Sequence, residues 1–435
     1  MTALPSGAAP DGAPAMPLPL RRAVAAVLLP FSAGYFLSYL FRTVTALAAG
    51  RLGAELHLAA DQLGLLSSAY FLTFAVAQLP VGAALDRFGP RRVQLALLPV
   101  AAAGSVLFAL ADRLALLVVG RALIGLGVAA ALMAGLKALV QWFPKERLAL
   151  ANGCYVMVGA LGAVAATVPA EALLDGLGWR GLFLVLAAAT GALPGLLWAV
   201  VPPDPPGHAA GGAAPVGLPA VFRDERFRRM APLSSCCVGT AFALQGLWAG
   251  PWLADVAALD RTGVVHGLFG MALGLSAGAL SLGVVADRAR RRGIQPRDLL
   301  AGVAAASMLA QLGLLLRIPV APQVLWTSIG AVGGATVLGY AAMADSFPKT
   351  VAGRANAALN VLHIGAAFVI QTGIGVVVGR WPTDAEGHSP PAAYAAALGL
   401  VLVPQAAALA WYLLAPRTAG GRAEALAATV PGSSG

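Results

Sequence analysis

The chain has 435 residues, 59% of them hydrophobic and only 11% charged, with a formal net charge of +10. A soluble globular protein carries roughly 25% charged residues, and no water-soluble fold hides so much apolar surface, so a soluble enzyme, a nucleic-acid binder and a disordered chain are excluded. At roughly 20 apolar residues per membrane helix, the composition supplies about 12 or 13, and the excess of Arg then belongs in the loops.

Residues 1–20 are rich in Ala, Pro and Gly and carry no positive charge, which predicts a disordered N-terminal tail. Arg21 and Arg22 precede an apolar run too long for the core of a signal peptide, so it reads as an uncleaved first span. Apolar segments lie at approximately 23–49, 63–84, 93–111, 115–140, 151–171 and 181–201. Next comes a Pro- and Gly-rich stretch of linker composition. Within 217–230, Leu218, Val221, Phe222 and Met230 then recur at helical spacing beside Arg223, Arg226, Arg228 and Arg229. That pattern predicts an amphipathic helix on an anionic membrane surface. Six further segments follow at approximately 232–254, 264–285, 299–316, 322–344, 355–378 and 393–414. The predicted fold is an all-α membrane protein of 12 transmembrane helices. A six-helix bundle spans 21–202, a cytoplasmic linker 203–231, a second six-helix bundle 232–415, and a disordered tail 416–435.

Basic residues concentrate in cytoplasmic loops. With the N-terminus inside, 20 of the 29 Lys and Arg residues fall on the cytoplasmic side, 6 on the other side and 3 within spans. Both termini are therefore expected in the cytoplasm and the chain in the inner (plasma) membrane.

The three basic residues within spans are Arg42, Arg121 and Lys137, and an ionisable group at that depth is costly enough to point to function. Tyr35, Tyr39 and Arg42 share one face of the first span. A guanidinium flanked by two phenols suits a carboxylate or phosphate; the competing role is an Arg that snorkels to the headgroups. Arg121 has the competing role of bonding to neighbouring carbonyls. Lys137 either pairs with a cytoplasmic gate or snorkels. In the seventh span Gln245, Trp248 and Trp252 share a face, and an amide with two indoles suits the uncharged part of a substrate; Trp252 also fits an interface anchor. In the eleventh span Asn356, Asn360 and His363 form a polar stripe with Gln371 nearby, which faces a cavity or a neighbouring helix. His363 titrates near neutral pH, so it is a candidate proton carrier, with an interhelical hydrogen bond as the plainer role.

The halves repeat. Gly82-Ala83-Ala84-Leu85-Asp86-Arg87 follows the second span and Gly283-Val284-Val285-Ala286-Asp287-Arg288 the eighth, at an offset of 201. Phe143-Pro144-Lys145 and Phe347-Pro348-Lys349 follow the fourth and tenth spans at an offset of 204, each with an Asn seven residues past the Lys. Duplicated halves are common in transporters, with the site at their interface.

With these residues the chain, over roughly 21–416, resembles a major facilitator superfamily (MFS) transporter. The most specific element is the loop Gly82-x-x-Leu85-Asp86-Arg87-x-Gly89-x-Arg91-Arg92, and Gly120–Gly127 is similar to the family's fourth-span motif. The resemblance implies the MFS fold, with Gly82, Asp86, Arg87, Gly89, Arg91 and the second copy's Asp287 and Arg288 gating alternating access. It implies that Arg121 orders a helix interface or aids proton transfer within that gating. From Ser38–Arg42 through Leu56–Gly64 to Asp86–Gly89 the chain resembles the organic-anion symporter branch. That implies an Arg42 that binds the anionic group of the substrate. In that branch an acidic residue commonly precedes this Arg and couples protons; here Phe41 stands in its place.

The five His fall in separate segments without metal spacing. The three Cys suggest neither a disulfide framework nor a metal site, and no phosphate loop is present. No enzyme activity and no cofactor are expected. The reading is a secondary active transporter that moves a small organic anion, a carboxylate or sugar acid, by rocker-switch alternating access. Arg42, Tyr35 and Tyr39 face Gln245, Trp248, His363 and Gln371 across the two halves. Its partners are the lipid bilayer and the anionic small molecule, with a proton or Na+ as candidate coupling ions, no nucleic acid, and a monomeric state. The alternative is a drug or metabolite efflux antiporter of the same superfamily. Gly159–Ala163 speaks against it, because it lacks the Gly-Pro-x-x-Gly-Gly pattern of many proton-driven exporters.

Overall fold

In hydrocarbon every backbone amide needs an internal partner, so each apolar segment closes its hydrogen bonds as a helix. The computed structural model describes residues 18–204, 218–294, 296–333, 336–347, 349–384 and 387–414. The long helices are α1 (Leu20–Leu56), α2 (Ala60–Phe88), α3 (Pro90–Leu110), α4 (Leu114–Trp142), α5 (Lys145–Ala165) and α6 (Val168–Val200) in the first half. The second half holds α7 (Glu225–Asp255), α8 (Arg261–Arg291), α9 (Pro296–Leu316), α10 (in two pieces, Pro322–Gly333 and Thr336–Ser346), α11 (Lys349–Val378) and α12 (Pro391–Leu414). No strand occurs among the described residues. Most of the predicted tails, and linker residues 205–217, lie outside the described residues.

Eleven of these helices are long and apolar enough to cross a membrane, while α5 supplies a shorter apolar stretch, Leu150–Ala165. The charged start Lys145-Glu146-Arg147 keeps the apolar part of α5 short; a break at Thr167 (φ −112°, ψ −110°) separates it from α6, which itself breaks at Gly178 (φ 67°). The seventh span also starts earlier than its expected position at 232. Asp224 caps α7 by accepting from the Arg226 amide at 2.8 Å, so most of the predicted surface helix is absorbed into α7. Only Leu218–Arg223 remains a separate short helix. Two arginines of the predicted surface segment, now at the start of α7, bond to other helices: Arg226 donates to the Ser346 carbonyl at 2.7 Å and Arg229 to the Tyr412 carbonyl at 3.1 Å. Cations there satisfy the open carbonyls at the ends of α10 and α12.

Two large hydrophobic cores, and a small one of Ala163, Ala272 and Leu275 between the halves, occur among the described residues. One runs through the first half and on into the second, from Phe31, Phe41 and Phe183 to Phe242, Trp252 and Trp326. The other belongs to the second half alone and includes Phe227, Met343, Phe347 and Tyr412. The residues of that second core lie at the end that carries the α2–α3 loop, called here the basic end. The halves thus share a core at the opposite end and do not share one at the basic end.

Hydrogen bonds repeat this asymmetry. At the opposite end Arg261 of α8 grips Glu171 of α6 with Nε (2.7 Å to Oε1) and Nη2, and Nη2 also reaches the Leu47 carbonyl at 3.0 Å. Arg51 joins the same carboxylate at 3.2 Å. Near mid-depth Thr372 donates to Ser68 at 2.9 Å and Asn360 to Gln78 at 3.2 Å. At the basic end the described pairs stay within their own half: Lys137 with Asp86, Arg91 with the Trp198 carbonyl, and Arg226 with the Ser346 carbonyl.

Candidate functional site

Arg42 sits on α1 where that helix meets α7. Its guanidinium carbon lies 3.8 Å from the Tyr39 ring centroid and 4.3 Å from that of Phe242 in the other half. Its side chain is 9% exposed, so this is an interhalf cation sandwich and not a snorkelling side chain. A desolvated cation–π contact is worth about 2 kcal/mol. The ring faces cover the guanidinium planes, but Nε and Nη2 have no hydrogen-bond partner. All 19 acidic residues of the chain lie in tails, loops or near span ends. The carboxylate of Glu55, on the same helix, is taken by the Trp179 indole at 2.6 Å and by Arg180. A planar cation with covered faces and a free edge is suited to a bidentate oxyanion.

The tyrosines predicted beside Arg42 are there. Tyr35 meets Tyr39 edge-on at 5.1 Å and stacks on Tyr155 at 5.1 Å. The Tyr155 hydroxyl donates to the Ala131 carbonyl at 2.5 Å. Gly159 of α5 admits this stack: a Cβ there would stand 2.2 Å from Tyr35 Cδ1.

Across from α1, α7 contains a π-helical turn, Leu244–Trp248, a distortion that is frequent at functional sites. Gln245 lies on it, buried, with Nε2 unpartnered. The Trp248 indole donates to the Gln371 backbone carbonyl at 3.1 Å, and the Gln371 side-chain amide is buried with both ends unpartnered. The Trp248 ring also packs on the close approach of Gly64 and Gly375, where α2 meets α11. Trp252 is buried against Trp326, with ring centroids 5.6 Å apart, so it is a core residue and not an interface anchor. His363 makes a hydrogen bond between helices: its Nε2 is 2.9 Å from the Ser234 hydroxyl of α7, and its ring lies 5.6 Å from that of Tyr340. Tyr340 in turn donates to Asn360 at 2.7 Å. The structure therefore gathers Arg42, Tyr39 and Tyr35 in one group and Trp248 with Gln371 in another, and sets His363 with Ser234 and Tyr340.

The predicted gate residues occupy two places. Arg121 is fully buried in α4 and donates to the Phe41 carbonyl at 2.9 Å, with its guanidinium carbon 5.1 Å from the Tyr70 ring centroid. It ties α4 to α1 beside Arg42, away from the α2–α3 loop. Beside that loop Lys137 of α4 donates to both the Leu85 carbonyl and Asp86 at the end of α2, each at 2.7 Å, so it pairs with the gate segment and does not snorkel. The Lys and Asp side chains are 25% and 83% exposed, which limits the pair to under about 1 kcal/mol. Arg87 is exposed over Phe88, and Arg91 donates to the Trp198 carbonyl at 2.7 Å. Gly82 has open space where a Cβ would stand. Arg288 is exposed near the end of α8, and the Asp287 side chain lies outside the described residues.

Gly89 is fixed twice, by φ 81° and by the Asp204 carboxylate 2.5 Å from where its Cβ would be. Asp204 accepts from the amides of Arg91 and Arg92 at the start of α3, each at 3.4 Å. Burial lifts the Asp204 carboxyl above its ordinary value of 3.8, against the lowering effect of those two amides.

Comparison with known proteins decides the family. The sequence pattern of the Major Facilitator Superfamily matches residues 31–371. The chain belongs to the Major Facilitator Superfamily. Its long apolar helices fit the multi-pass membrane architecture of that family. The "Probable sulfoacetate transporter SauU" of Cupriavidus necator is 30% identical over 156 residues, 36% of each chain. The "Galacturonate transporter" of Dickeya chrysanthemi is 32% identical over 171 residues, 38% of this chain and 47% of that one. The chain thus aligns with about a third to a half of the length of these relatives. Among solved structures, a bacterial homolog of the human lysosomal transporter Spinster matches with TM-score 0.75 and 17% identity, over 91% of this chain and 97% of that chain. At that identity the likeness shows the MFS fold alone.

Within this MFS chain, sequence reasoning missed Phe242, Tyr155, Asp204 and the Glu171–Arg261 pair. A signal existed for Phe242: it lies one residue from the counterpart of Arg42 at the repeat offset of 201. For Asp204 and Glu171 none existed, because carboxylates near helix ends are ordinary in sequence and only their partners distinguish them.

Proposed function

We propose that this transporter carries a small organic anion, a carboxylate or sugar acid, with Arg42 as the anchor of its charge. One observation carries the reading. Arg42 is buried between the halves with its faces on Tyr39 and Phe242 and with Nε and Nη2 unpartnered. An oxyanion supplies the missing acceptors. The relatives named for sulfoacetate and galacturonate transport support the same class. The unpartnered amides of Gln245 and Gln371 suit hydroxyl groups on the same substrate. The excess of basic residues at the basic end supports a cytoplasmic position for that end in a bacterial inner membrane. The arrangement, joined at the opposite end and separate at the basic end, is then inward-facing. Secondary transport by rocker-switch alternating access follows from two halves that exchange these contacts.

The test is a thermal-shift screen of the purified protein against carboxylates, sugar acids, phosphates and cations. Wild type responds to anions, and Arg42→Ala loses about 3 kcal/mol of binding, roughly a hundredfold in Kd. Equal responses of both proteins to every anionic hit would overturn the site.

A further inference from the structure

We infer that the protein is an anion exchanger: it crosses the membrane loaded in both directions, and its empty form reorients slowly. This rests on the anion reading above and adds the mode of coupling. Alternating access passes through a state closed at both ends. The opposite end is already closed by Arg261, Glu171 and Arg51, so closing the basic end removes what little access to water the 9%-exposed Arg42 retains. Burying a cation without a counter-charge is costly.

No side chain described around Arg42 supplies one. On its own helix it faces Tyr39 and Tyr35, and Phe41 precedes it. From α7 it faces Phe242. Tyr70 of α2 and Tyr340 of α10 lie within electrostatic reach, and Tyr155 of α5 backs Tyr35. Phenols are neutral at neutral pH. His363 of α11, behind Tyr340, contributes no negative charge in either protonation state. Arg121 of α4, on the Phe41 carbonyl, adds a second positive charge one residue away. The transported anion is therefore the counter-ion of the closed state. The loaded carrier is neutralised at Arg42, the empty carrier is not, and flux proceeds by trading one anion for another.

The full-length protein in proteoliposomes tests this. Uptake of labelled galacturonate, and in parallel of sulfoacetate, is measured into vesicles loaded with the same unlabelled anion or with buffer alone. Exchange predicts at least tenfold faster uptake into anion-loaded vesicles, unchanged by an imposed pH or Na+ gradient. Equal rates into both kinds of vesicle, or accumulation driven by either gradient, overturns exchange and leaves the anion site standing. If neither anion moves in any arm, the anion reading falls and exchange with it. Phe242→Glu places a carboxylate beside the guanidinium and is expected to raise the buffer-loaded rate towards the anion-loaded one. Phe41→Asp asks the same from the other neighbour if the first variant does not fold. A gap as wide as that of wild type in the variant that folds refutes the charge argument.

Discussion

Arg42 shows how a side chain can be expensive and still be kept. Its aromatic neighbours recover part of the cost of burial, and its Nε and Nη2 edge stays without a hydrogen-bond partner. The stack that holds it is tight: with a Cβ at position 159 only 2.2 Å from Tyr35 Cδ1, Gly159→Ala must push Tyr35 off Tyr155 and disturb Tyr39. The expected loss is about 1–3 kcal/mol, the usual range for overpacking, read as a lower melting temperature together with weaker anion binding. Adding Tyr35→Leu should restore the melting temperature and not the binding. Recovery of both would show that Tyr35 has no part in the site. The tyrosines and Arg42 were legible from their i, i+4, i+7 spacing, because one helix fixes their common face. Phe242 was not, because a residue's partner across two bundles is set by packing alone.

The α2–α3 loop binds through its backbone more than through its charges. The Asp86–Lys137 pair is too exposed to contribute much here, so Asp86→Asn is expected to change stability by under about 1 kcal/mol. The same variant is expected to lower transport while surface expression holds, since a gate acts when the basic end closes. Normal transport kinetics would remove Asp86 from gating. Asp204 behaves differently. Its carboxyl is raised by burial, so the folded state holds a proton there more firmly than the unfolded chain does. The stability this contributes is present below the ordinary value of 3.8 and is lost as pH rises through the raised one. Asp204→Asn should remove that slope from a series of melting temperatures taken across the acidic range above 3.8; an unchanged slope would assign it to another group. The sequence marked this loop by its motif, but the docking of a linker carboxylate onto its amides required the fold.

At the scale of the molecule, the halves are latched at one end by a pair more protected than the gate pair. Glu171 is 11% exposed and Arg261 38%. Breaking a buried pair costs 3–5 kcal/mol, and partial exposure reduces this to about 2 kcal/mol. Glu171→Gln should therefore shift the ratio of the two conformations roughly thirtyfold away from the present one. Cysteine labelling at positions of the opposite end measures this directly, and accessibility equal to wild type would show that the latch lies elsewhere. The sequence by itself determined the membrane class, the repeat between the two halves of the chain, the family loop and the cation within the first span. Those properties follow from hydropathy, helical period and repetition, which are local. Only the tertiary structure decided that Arg42 is shared with Phe242, that Lys137 pairs and His363 does not stand free, and that the halves are joined at one end. Each of these depends on which helix faces which, and in hydrocarbon that choice is made by close packing and by the few polar partners within reach.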